Sequence, residues 1–342
     1  MSLRVVPQPS AEKSGQLSTL TGGFGRLWRG LWQSLRSFFA IWIAKPDALL
    51  LVVLASVLRL NGLHATTFLG DQAQIYSLGR SALMHHALLV TGIRSSIGTL
   101  NMPVSILLLL PFIILGDPLW GTLFTAVVNI VAVMLLYSLA NRYVGRRAAF
   151  VAGLLYTTAP WAVFFSRFIW QQNLLAPVVL LLIWVVCLGV LEGKQGWLGW
   201  SVLFWGIALQ LHPSAAPLLS LIVFGALLTW RRIRWRDFVY SGLALAVLFL
   251  PSLLWEVISR GFDIEAYINF AIQPAAYDTQ VFNVLYYILT PPRLNYFGDA
   301  TLYWRLYPTF AWLTGVLGVL YAASVLFSLD TVCPVLSQCA HN

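Results

Sequence analysis

Apolar stretches recur along almost the whole chain, from about residue 47 to about residue 328, each long enough for several helical turns and separated by short polar breaks. A helix that is hydrophobic all round must be buried, either in a large core or in lipid. Here lipid is the better solvent: 59% of the 342 residues are hydrophobic and 10% are charged, where a soluble domain carries about a quarter charged residues. The expected fold is therefore an all-α polytopic membrane protein of about eight transmembrane helices. Candidate spans lie at 47–63, 119–141, 148–165, 174–191, 197–211, 214–229, 237–255 and 309–328. Interfacial or re-entrant helices and two long outer-face loops complete it.

The organisation expected along the chain follows from these runs. Residues 1–23 form a polar tail rich in Ser, Gln and Gly, which composition marks as disordered; they lack the apolar core and cleavage site of a signal peptide. Residues 24–46 carry Leu27, Trp28, Leu31, Trp32, Leu35 and Phe39 at helical spacing, with Arg26, Arg29 and Arg36 between them. Three arginines suit an interfacial amphipathic helix better than a spanning one. A transmembrane module covers 47–255, with an outer loop at 64–118. A second outer loop covers 256–308, and 309–342 hold a last helix and an atypical tail. Cys187, Cys333 and Cys339 fit neither a disulfide framework nor a zinc site.

Charge decides the sidedness. The segment 101–115 is apolar but short, and Pro103 and Pro111 interrupt it. If it does not cross and the N-terminus is cytoplasmic, the inner face collects the tail basics, Arg142, Arg146, Arg147, Lys194, Arg231, Arg232, Arg234 and Arg236. The outer face receives Arg80, Arg94, Arg167, Arg260, Arg293 and Arg305. If 101–115 crossed, the Arg231–Arg236 cluster would face outward, against the positive-inside bias. The net charge of +9 thus reads as topology and contact with anionic lipid head groups, not as nucleic-acid binding. The same arrangement gathers Asp71, Asp117, Glu256, Asp263, Glu265, Asp278 and Asp299 on the outer side.

Three sets of polar residues stand out on that face. Asp71 follows Gly70 after the first apolar stretch; a carboxylate there is a functional-site candidate. It reads equally as a helix cap and as a general base or metal ligand at the membrane boundary. Arg167 lies in Phe164-Phe165-Ser166-Arg167-Phe168, flanked by large apolar residues. Its guanidinium fork suits a phosphate, and a snorkelling arginine on ordinary lipid is the alternative. Gln210 and His212 lie at the outer end of a span broken by Pro213; a satisfied histidine and a site histidine are both open there. His85-His86 is a weak metal signal, because neighbours on a helix diverge by about 100°.

Together these residues give the chain a family likeness. It resembles the GT-C glycosyltransferases that use polyprenyl-phosphate sugars, near the protein O-mannosyltransferase and lipid A aminoarabinose transferase branch. The resemblance covers about residues 47–310 and rests on four features: Gly70-Asp71-Gln72-Ala73; the run from Tyr137 through Arg142, Gly145, Arg146 and Arg147 to Ala149; Pro160 followed by Phe165-Ser166-Arg167-Phe168; and Gln210-Leu211-His212-Pro213. It implies transfer of a sugar from a lipid phosphate to a lipid, glycan or protein acceptor on the extracytoplasmic face. Asp71 would activate the acceptor, Arg167 would meet the donor phosphate, and His212, Gln210 and Arg94 would line the donor or acceptor site. The only cofactor-like molecule implied is the polyprenyl-phosphate sugar donor itself, and a divalent metal is left open. The implied location is a bacterial inner membrane.

The chain departs from the family pattern at Gln72, where many members have Glu, and at Asn101-Met102-Pro103, where a His-Pro-Pro type motif is usual. Members usually continue with further spans, so the chain is read as a short one. Two other classes compete: a transporter or flippase of a lipid-linked intermediate, and a non-catalytic membrane subunit. A transporter would be expected to hold its ionisable residues near mid-membrane and to pair 101–115 with a second proline-broken segment; the sequence offers no such pair.

Overall fold

The structure is a computed structural model that describes residues 45–66, 68, 70–95 and 98–273. The expected tail at 1–23, nearly all of the expected interfacial helix at 24–46, the second outer loop past 273 and the last helix lie outside the described residues. The chain divides into two compact units, Met1–Leu50 and Leu51–Asn342; residues 45–50 are the described part of the first.

Eleven α-helices and no strand occur among the described residues. In chain order they are α1 (Pro46–Leu60), α2 (Gly70–His85), α3 (Val104–Ile113), α4 (Pro118–Tyr143), α5 (Arg146–Thr158), α6 (Pro160–Phe165), α7 (Leu175–Val190), α8 (Trp197–Leu211), α9 (Leu219–Leu228), α10 (Trp235–Ile258) and α11 (Phe262–Ala271). Among the described residues, three stretches are long and apolar enough to cross a bilayer: Pro118–Tyr143, Gln171–Val190 and Trp235–Ile258. Val104–Ile113, Trp197–Leu211 and Pro213–Leu228 are shorter apolar helices. The all-α membrane class is as expected.

Local chemistry sets the ends of these helices. Asp117 caps α4 by accepting from the Leu119 N–H at 2.8 Å, and Pro118 takes the first position, where no N–H is needed. The expected span at 148–165 is two helices instead of one. Pro160 drives the residue before it out of the helical region, and Ala159 is indeed extended at ψ 118°. At the end of α8, His212 is extended and Pro213 follows, so the chain turns into a 3₁₀ segment before α9. Helix α3 has ten residues; at about 1.5 Å per residue it reaches half of a hydrocarbon core roughly 30 Å thick.

Helix α4 lies at the centre, packed against α3, α5 and α7; α7 packs on α8, and α8 on α10. Without a hydrophobic drive between helices in lipid, small residues at the contacts let backbones approach. A Cβ on Gly189 would stand 2.9 Å from the Leu198 backbone nitrogen, and one on Gly199 would stand 2.7 Å from the Asp237 carbonyl carbon. These glycines bring α7, α8 and α10 together. The contacts between helix ends and loops define two ends among the described residues. One holds α2, the loop after α6, His212 and α11. The other holds the turns at 191–196 and 229–234, where Arg142 and Lys194 both contact Glu192.

Candidate functional site at the Asp71 end

Asp71 lies in the first turn of α2 with its side chain exposed, and makes no side-chain hydrogen bond or ion pair among the described residues. Helix α2 begins at Gly70, so Asp71 is inside the helix and not at the capping position. The first turn still favours its negative charge, because unpaired N–H groups gather there. Helix α2 is fixed by the face that carries Ile75 and Tyr76. Ile75 and Tyr76 are buried with Leu89, Ile93, Ile106, Leu109, Ile113 and Ile169 in one cluster, and the Tyr76 hydroxyl donates to the Phe112 carbonyl at 3.4 Å. Since Ile169 follows Arg167 by two residues, this cluster joins the Asp71 helix to the Arg167 loop.

Arg167 is half-buried after α6 and donates from Nη2 to the carbonyl of Leu58, in the last turn of α1. Its Nε is buried and has no hydrogen-bond partner within the protein. Burial holds the guanidinium below its usual pKa, so its charged form is under-solvated and gains from an anion. A polar thread pins the loop. The Tyr156 hydroxyl donates to Asn129 Oδ1 at 3.4 Å, Asn129 Nδ2 donates to the Asn173 carbonyl at 2.9 Å, and Asn173 Nδ2 donates to the Phe168 carbonyl at 3.0 Å.

The thread begins at a residue that sequence reasoning passed over. Arg59 is 0% exposed, and its two terminal nitrogens donate to the carbonyls of Thr157 and Tyr156, each at 3.0 Å. Its guanidinium lies 5.7 Å from the centre of the Tyr156 ring. Arg59 thus takes up carbonyls that α5 leaves unpaired at its C-terminus, as Arg167 does for α1. The signal was present in the sequence: a charged residue inside an apolar span is expensive and should have a function.

His212 joins α8 to the 3₁₀ turn at Pro213–Leu218. Its Nδ1 accepts from the Ser214 N–H at 3.2 Å and lies 2.7 Å from Ser214 Oγ. A backbone N–H can only donate, so Nδ1 carries no proton and the neutral ring is protonated at Nε2. Burial lowers its pKa, which favours the same form. Gln210 is 3% exposed; its amide donates to the Leu248 carbonyl of α10 at 2.7 Å, and its Oε1 is buried without a partner. Leu211, between them, packs with Val104 and Leu174, which ties His212 to the start of α3 and to the segment after Arg167.

Arg94 is exposed and makes no ion pair among the described residues. It stands in a short antiparallel bridge with Leu100. Asp263, read in the sequence only as one of the outer-side acids, holds that hairpin: it is 6% exposed, accepts from the Leu100 N–H at 2.7 Å and from Trp255 Nε1 at 3.0 Å. The two segments expected on the outer face are therefore in contact through α11.

Five residues chosen from sequence thus fall at one end of the fold, linked by packing and not by direct bonds to one another. Most buried polar side-chain atoms without a protein partner lie there too, among them Arg59 Nε, Arg167 Nε, Gln171 Oε1, Gln172 Oε1, Gln210 Oε1 and Glu256 Oε2. Orphaned buried polar atoms are uncommon and call for a ligand or water. Among the described residues no three His, Cys, Asp or Glu side chains come together to hold a metal ion.

Residues 103–255 match the family model described as dolichyl-phosphate-mannose-protein mannosyltransferase. The match supports a GT-C glycosyltransferase. It supports a membrane glycosyltransferase of the kind that uses lipid-linked sugar donors. The matched segment contains Arg167, Gln210 and His212, while Asp71 and Arg94 precede it. No curated protein and no solved structure matches the chain.

Proposed function

We propose that the Asp71 end faces the extracytoplasmic side and transfers a sugar from a polyprenyl-phosphate carrier to an acceptor hydroxyl. The observation that carries this reading is Arg167: within the segment that matches the transferase family, it is a half-buried guanidinium with an unpartnered Nε and no carboxylate against it among the described residues. A lipid phosphate supplies the missing anion.

The chemistry needs little more. Asp71, exposed and unpaired, takes the proton of the acceptor hydroxyl as that oxygen attacks the anomeric carbon. The bond from that carbon to the phosphate oxygen breaks, and its electron pair leaves with the phosphate, where Arg167 offsets the growing charge. His212 offers its Nε2–H to a sugar or phosphate oxygen. The free Oε1 of Gln210 accepts from a sugar hydroxyl, and the exposed Arg94 meets the donor or acceptor. Gln72 and Asn101-Met102-Pro103 leave the acceptor class wider than protein alone: a lipid, a glycan or a protein hydroxyl.

Native mass spectrometry of the purified chain with a panel of polyprenyl-phosphate monosaccharides, combined with a transfer assay, tests the reading. Asp71→Asn is expected to retain donor binding and to lose roughly 10²–10⁴-fold in transfer. Arg167→Gln is expected to weaken donor binding selectively. Undiminished transfer by Asp71→Asn would overturn the role given to Asp71, and donor retention insensitive to Arg167→Gln would overturn the phosphate site.

A further inference from the structure

The end opposite Asp71 carries a second binding feature, which the transfer reading does not use. A groove of about 530 Å³ is lined by Gln195, Gly196, Trp197, Trp200, Leu203, Phe204, Arg234 and Asp237. Its size is that of a ligand site, and its lining is graded. Trp197, Trp200, Leu203 and Phe204 fall at i, i+3, i+6 and i+7 on α8, so they form one stripe along the helix. The polar residues gather at one end of that stripe, where the turn before α8 meets the start of α10. A narrower cleft beside the groove shares Gln195, Gly196, Arg234 and Asp237 and adds Lys194 and Arg232.

The charge around the polar end is unbalanced. Arg231, Arg232, Arg234 and Arg236 all lie within six residues of a single carboxylate, Asp237, which is 3.4 Å from Arg234 Nε. Lys194 and Arg142 already share Glu192. Trp197 and Trp200 are 43% and 47% exposed, and Trp235 is 73% exposed, the habit of indoles at a lipid boundary. Gly196, at φ +87°, opens α8 in a conformation that side chains disfavour, and Gly199 lets Asp237 approach α8; together they bring Arg234 to the head of the stripe.

We infer that this groove binds an anionic phospholipid of the adjacent leaflet, with the phosphate at Arg232 and Arg234 and an acyl chain along Trp200, Leu203 and Phe204. A polar head with excess positive charge, an apolar trough directed along a membrane helix and flanking tryptophans together match an amphiphile with an anionic head. A soluble anion would leave the trough unused, and a zwitterionic lipid would leave the excess positive charge uncompensated.

The test is native mass spectrometry of the full chain titrated with phosphatidylglycerol and phosphatidylcholine of matched chains. Phosphatidylglycerol is expected to be retained preferentially. Arg232→Gln/Arg234→Gln should reduce that preference about tenfold or more, while Arg147→Gln, at the same end but outside the groove, should leave it. Trp200→Ala keeps the Arg234–Asp237 contact and should lower retention of long-chain but not of dihexanoyl phosphatidylglycerol. Equal retention of the two lipids, an equal loss in Arg147→Gln, or full displacement by inorganic phosphate would each overturn the inference. No transfer step enters the readout, so it stands or fails apart from the proposed activity.

Discussion

Arg59 and Arg167 show how single side chains join this fold to its site. A guanidinium with no carboxylate partner among the described residues is held by helix-end carbonyls and by one aromatic face. Replacing Arg59 with Met would leave two buried carbonyls of α5 unpaired; hydrogen bonds to a charged group contribute about 1.5–3 kcal/mol, and a lowered melting temperature in detergent measures the loss. Arg59→Lys would restore charge without the fork and should recover only part of it. His212 makes a different prediction. Its folded pKa lies below the usual 6.5, so the unfolded chain takes up a proton first as pH falls; the contribution of the neutral ring is full above about 6.5 and declines below it. His212→Asn, which can still accept from the Ser214 N–H, should flatten that part of the pH–melting curve. Glu192 titrates lower. Hydrogen bonding from Arg142, with help from Tyr143 and Lys194, holds its carboxyl down from 4.5 to about 2. The stability lost in Glu192→Gln should therefore be full at neutral pH and shrink as pH falls from about 4.5 towards 2.

At the scale of elements, length and periodicity carried most of the information. The expected spans at 119–141, 197–211 and 237–255 became Pro118–Tyr143, Trp197–Leu211 and Trp235–Ile258, because an uninterrupted apolar run leaves a helix little choice. The break at Ala159–Pro160 was not foreseen, although the proline was in view: apolar residues on both sides hid a local steric rule. Asp263 was not legible at all as a tie. Its partners are a backbone N–H at Leu100 and an indole at Trp255, and neither contact leaves a mark in a sequence. Of the candidate site, the common end of the chosen residues was legible; the ties of Arg59 and the polar thread through Asn129 were not, because they depend on which helix ends meet. Two changes test the elements. Asp263→Ala should speed hydrogen exchange in 92–101 with little change elsewhere in the fold. Gly199→Leu should force α8 from α10 and destabilise the pair by about 1–3 kcal/mol, read as a lower melting temperature.

Among the described residues, the end that holds Arg232 and Arg234 is basic and the end that holds Asp71 carries most of the unpaired buried polar atoms. If the basic end is cytoplasmic, cysteines placed at Gln74 and Gln195 in a cysteine-free background should react with a membrane-impermeant maleimide from opposite sides, Gln74 from the outside. Labelling of both from one side would refute the topology on which the transfer reading depends. The buried arginine of the first helix also sets an order in time. Arg59 meets its carbonyl partners 97 and 98 residues later in the chain. At translation rates of roughly 5–20 residues per second, the first helix waits for several seconds after emerging before anything can neutralise its burial. During that wait the nascent helix must shelter beside the insertion machinery or at the lipid surface, so biogenesis, as much as the finished fold, depends on α5 following it.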